Sequence, residues 1–158
     1  MNTRRLLVAL VFAMSTLAAG GAAAQDVAKL VTKAEVEKIT GVKLKDGWKP
    51  MPTQVMFQQE GGDLQVSIDV EARDAASTVR SWEATIKRMQ PSTKVDTVPG
   101  VGKDAIYYST RPDSGALSAD FDQPRVQLRV AVAGAKTPAQ AKQIAVDLAK
   151  IAGPKVGR

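Results

Sequence analysis

The chain has neither cysteine nor histidine. Without cysteine there is no disulfide framework, no thiol nucleophile, no thiolate metal site and no residue for lipid attachment. Without histidine, Ser-His-Asp catalysis, imidazole acid–base chemistry and histidine-held zinc, copper or haem are excluded together. Aromatic residues make up only 4% of the chain, too few for the exposed ring platforms that carbohydrate sites use. Long apolar runs are also scarce. The main one, Leu6 to Leu17, is broken by Ser15 and Thr16 and is too short to span a bilayer as a helix. An enzyme built from what remains would have to use carboxylates, Lys, Tyr or Ser.

That apolar run belongs to a leader. Arg4 and Arg5 precede it, and a small-residue tail ends in Ala22-Ala23-Ala24 before Gln25-Asp26. Charged start, apolar middle and A-x-A end are the parts of a secretory signal peptide. Residues 1–24 are therefore expected to be a signal peptide cut between Ala24 and Gln25, with 25–158 as a single domain. Expected location is the periplasm or the exterior, with no stable membrane anchor after cleavage. Of 22 basic residues the leader takes two, and all 16 acidic ones follow it, so the mature domain keeps an excess of four positive charges. A pI near 9.7 invites a nucleic-acid reading, but export argues against that partner. Mild basicity in an envelope protein fits a solvated surface.

After the leader, Thr32-Lys33-Ala34-Glu35 is a capping box, and Gly41 stands where a helix-ending glycine belongs. Period-two alternation follows. Val55 and Phe57, the turn Glu60-Gly61-Gly62-Asp63, then Leu64, Val66, Ile68 and Val70 read as a hairpin with one buried face. Asp74 to Gln90 reads as a helix, with Ala75, Val79, Trp82, Ile86 and Met89 as its core stripe and Pro91 as its stop. Trp48 reads as a lid on the core. Further on, Leu117, Ala119 and Phe121 alternate, Asp122-Gln123-Pro124 turns, and Val126, Leu128, Val130 and Val132 form another face. Thr137-Pro138 opens a closing helix striped by Ala141, Ile144, Leu148 and Ile151. Between the halves, Ala105 to Ser109 reads as an extra strand.

One offset of 62 residues relates Val55 to Leu117, Ile68 to Val130, Trp82 to Ile144 and Ile86 to Leu148. The expected fold is therefore α+β: a mostly antiparallel sheet of about five or six strands, helices packed on one face, built from a pseudo-symmetric repeated β-β-α unit.

Candidate chemistry is thin. Pro99-Gly100-Val101-Gly102-Lys103-Asp104 lacks the spacing and the following helix of a phosphate-binding loop. Asp120-Phe121-Asp122 and the Glu60/Asp63 pair lack a calcium-type ligand series, so no metal and no cofactor are expected. Two carboxylates could run a histidine-free hydrolase, but nothing marks a raised-pKa acid. The open sheet face is more informative. By alternation it should carry Gln58, Gln65, Ser67, Asp69, Ser118, Gln127 and Arg129, and Tyr107 if Ile106 and Tyr108 point inward. Tyr107, Arg129, Gln127, Gln65 and Ser67 are the candidate ligand-binding residues, a ring and a guanidinium fork being favoured at recognition sites.

The run V-P-G-V-G-K-D-A-I-Y-Y, leading through G-A-L-S-A to V-Q-L-R-V-A-V, and the opening T-K-A-E-V-E-K-I-T-G together resemble a group of small exported bacterial proteins of unknown function. Among these are domains similar to the extracellular sensor regions of bacterial Ser/Thr kinases. The resemblance implies an α/β sandwich that binds something unidentified, and it carries over no catalytic residue. The expected function is an exported, soluble, non-catalytic binding or interaction module for an envelope protein or a small ligand. The alternative is an inhibitor of an envelope hydrolase, with Val98 to Asp104 as the blocking loop. A histidine-free carboxylate hydrolase comes third.

Overall fold

Among the described residues, alternation becomes one antiparallel sheet of seven strands. In chain order they are β1 (Trp48–Met51), β2 (Gln54–Gln58), β3 (Gln65–Ala72), β4 (Val95–Thr97), β5 (Asp104–Arg111), β6 (Ser114–Asp122) and β7 (Arg125–Ala133). Across the sheet the order is β1-β2-β3-β7-β6-β5-β4, every neighbour antiparallel. The computed structural model describes residues 26–156 and 158, so the Ala24/Gln25 cleavage site lies outside the described residues. Among the described residues no helix is long and apolar enough to cross a membrane.

Among the described residues three helices join the sheet: α1 (Lys33–Thr40), α2 (Val79–Met89) and α3 (Pro138–Ala152). Their ends follow local chemistry. Thr32 and Glu35 close the capping box of α1, and Gly41 takes the left-handed conformation at its end with φ 72°. Thr137 caps α3, with Pro138 at its first turn. The helix expected from Asp74 begins later, because Asp74 accepts from the Ala76 and Ser77 N–H groups in a turn and Thr78 is the true cap.

The larger core lies on one face of the sheet. Val55, Val66, Ile68, Leu117, Leu128 and Val130 meet α3 through Ile144, Ala145 and Leu148, with Val36 of α1 beside them. The 3-10 turn Val27–Lys29 also joins this face, and Val27, Leu30 and Val31 are essentially fully buried. The last such turn, Gly153–Lys155, lies next to α1 in space, since Lys155 bridges to Glu35 at 3.0 Å.

The α+β class and antiparallel sheet agree with the sequence reading, but the helices are split between the two faces. Val79 and Ile86 of α2 pack against Ile106, Tyr108 and Ala116 on the opposite side. With α1 and α3 filling the first face, the narrow stripe of α2 finds its apolar partners on β5 and β6. The two hairpins β2–β3 and β6–β7 do turn the offset-related strand positions into one common core. The helices that follow them pack on opposite faces, so the expected β-β-α repeat is not borne out. Trp82 is 42% exposed whereas Ile144 is 2% exposed. Trp48, expected as a core lid, is 41% exposed and sits in β1 opposite Met56.

Candidate functional site

The split of the helices creates a step. On the α2 side, β5 and β6 are covered while β7, β3 and β2 are open. One continuous row of paired residues crosses this step: Tyr108, Ala116, Ala131, Ser67, Met56 and Trp48. Directly paired residues in an antiparallel sheet share a face, so small side chains form a floor between two bulky ends. At one end Trp82 of α2 stands edge-on to Tyr108, ring centroids 6.4 Å apart and planes at 69°. Met56 and Trp48 stand at the other. The hollow is a trough of about 280 Å³, lined also by Gln65, Ser114 and Arg129. Ligand pockets run from roughly 300 Å³ upward, so this one suits a small or slender guest.

Three of the five expected binding residues line the trough: Gln65, Ser67 and Arg129. Gln127 shares their face but is already engaged, donating to the Asp120 carboxylate at 3.2 Å. Tyr107 is corrected to the other face. It is 4% exposed within the larger core, with the Lys142 ammonium of α3 6.0 Å from its ring centroid. Lys142 also bridges to Asp96 at 2.8 Å, which pairs with Tyr107 across β4 and β5. Gly115 makes this possible, because a Cβ there would lie 2.1 Å from the Tyr107 hydroxyl oxygen. Ser118, expected on the open face, is 1% exposed.

The site residues missed by alternation alone are Tyr108, Met56, Ala131 and Trp48. Part of the signal does lie in the sequence. Ala105-Ile106-Tyr107-Tyr108 is an unbroken apolar run, the mark of a strand covered on both faces. Both tyrosines are buried for that reason.

Polar groups around the trough are unevenly satisfied. Gln54 donates to Ser67 at 2.8 Å. Arg129 is exposed, and no carboxylate forms an ion pair with it among the described residues. Its cross-strand neighbour is Asp69, half-buried, with one carboxylate oxygen enclosed and lacking a hydrogen-bond partner among the described residues. Burial, followed by repulsion from Glu71, pushes the Asp69 carboxyl above its ordinary value of 3.8, against the pull of Thr53 and Arg129. Below that ordinary value Asp69 is protonated whether the chain is folded or not. As pH rises through the raised folded value, ionisation costs stability that the unfolded chain does not lose. Asp69→Asn should therefore raise the melting temperature at neutral pH, and the gain should fade in acid. Thermal unfolding at pH 7 and pH 3 checks this.

A second hollow, of about 240 Å³, is lined by Arg73, Arg80, Lys103, Asp104, Asp120 and Asp122, among others. Most of its charges pair with one another. Arg73 reaches Asp120 at 3.4 Å and Asp122 at 2.9 Å, Arg80 reaches Asp104 at 3.0 Å, and Lys103 reaches Asp122 at 2.7 Å. Asp120 also accepts from the Val79 N–H at 2.8 Å, which ties the first turn of α2 to the sheet. These three carboxylates are thus engaged in ion pairs. The glycine-rich loop does not protrude freely either: Val98 and Val101 are buried, and Lys103 N–H donates to the Asp120 carbonyl.

Compared with family models, with curated proteins and with solved structures, the chain matches none.

Proposed function

We propose that this chain is a non-catalytic binding module of the cell envelope, whose ligand lies in the trough at the step of the sheet. The observation that carries this reading is the row from Tyr108 to Trp48, a floor of small side chains between two aromatic ends. Such an arrangement leaves apolar surface uncovered where the core has no use for it. The secretory leader supports a periplasmic or secreted setting. The lack of histidine and cysteine, with Asp104, Asp120 and Asp122 held in ion pairs, supports binding without turnover.

The test is a titration of isotope-labelled protein with the small-molecule fraction of an envelope extract, read from backbone amide shifts. Shifts should cluster at Met56, Ser67, Ala131 and Arg129. Ala131→Leu, which fills the floor, should abolish them without unfolding the protein. Shifts confined to Val98–Asp104 would replace this reading with the inhibitor one, and shifts on α3 would overturn both.

A further inference from the structure

Resting on that reading, the trough's own chemistry narrows its guest. Met56, Tyr108, Ala116 and Ala131 supply an apolar lining, while Arg129 is its single charged side chain. A lone guanidinium fork at one side of an apolar floor is matched by one planar anionic head on an apolar body. A phosphate dianion would call for further cations, and none of the other lining residues is basic. Tyr108 walls one end of the floor with its ring; it is 7% exposed and its hydroxyl is enclosed, so the charged end of a guest belongs on Arg129 rather than on Tyr108. Cationic guests are disfavoured, since the acidic neighbour Asp69 keeps one carboxylate oxygen enclosed and away from the trough lining.

We infer that the trough takes an apolar molecule bearing a single carboxylate, its chain lying along the Ala116–Ala131–Ser67 floor and its head on Arg129.

Three probes with the same ten-carbon body separate the possibilities: decanoate, decanol and decylamine, each held below its aggregation threshold. Binding is read from amide shifts and from the fluorescence of Trp82 and Trp48, which stand at the two ends of the row. Decanoate should bind at the trough, and Arg129→Gln should weaken it about tenfold, the loss expected for one charge-assisted contact. Decanol should bind the wild type about as weakly as decanoate binds the variant. Ala131→Leu should exclude all guests, which guards against loose adsorption elsewhere. If decanol matches decanoate and Arg129→Gln changes nothing, the carboxylate assignment falls while the trough survives as a binding site. Tighter binding of decylamine than of decanoate would overturn the carboxylate assignment in the same way. If none of the three shifts the trough but the envelope extract does, the ligand class is wrong and the functional reading stands. If neither moves it, both fall.

Discussion

Asp120→Ala should lower the folding stability by about 3–5 kcal/mol, the cost of breaking a buried ion pair from one side. Asp120 is 3% exposed, and the side chain of its partner Arg73 is 6% exposed. Removing the carboxylate strands that guanidinium and orphans two further donors, the Val79 N–H at the start of α2 and the Gln127 amide. The remaining pair between Arg73 and Asp122 offers limited help, since Asp122 is half exposed and shared with Lys103. Asp120→Asn keeps an acceptor of the same shape and should lose less. Urea unfolding of the two variants beside the wild type measures both effects. A loss below about 1 kcal/mol for the alanine variant would show that the cluster behaves as a solvated surface pair.

Tyr107→Ala should cost about 3–5 kcal/mol, as large aromatic truncations in cores do. The ring fills the space left by Gly115 and lies below the Lys142–Asp96 bridge that fastens β4 to α3. Tyr107→Phe keeps the ring and should stay within about 1 kcal/mol of wild type. Trp82→Ala should cost less than Tyr107→Ala, since Trp82 is 42% exposed and loses only partial burial beside its edge contact with Tyr108. Equal losses at Tyr107 and Trp82 in denaturant titrations would contradict the burial pattern. These expectations reverse the sequence reading, in which Tyr107 faced solvent and Trp82 sat in the core.

That reversal shows where the sequence is legible and where it is not. Period-two alternation located both hairpins, because β3 and β7 have one covered face and one open face. Capping chemistry located the ends of α1 and α3 for an equally local reason. What alternation cannot supply is which face a helix will choose. Val79, Trp82 and Ile86 describe a stripe, yet the partner of that stripe is set by Ile106 and Tyr108 on distant strands. The candidate site inherits this division. Gln65, Ser67 and Arg129 follow from alternation on β3 and β7, whereas Tyr108 and Ala131 enter only through the register of strand pairing. The short edge strands β1 and β4, with three or four residues each, carry too little pattern to be read alone.

Both ends of the described fold lie on the face away from the trough. Val27, Leu30 and Val31 are buried there, as is Val156, and Lys155 holds Glu35 beside them. Anything tethered through either segment, whether an affinity handle, a fluorophore or a sensor chip, would thus leave the opposite surface unobstructed. The molecule can be immobilised in one orientation from either segment, with the trough turned to the liquid.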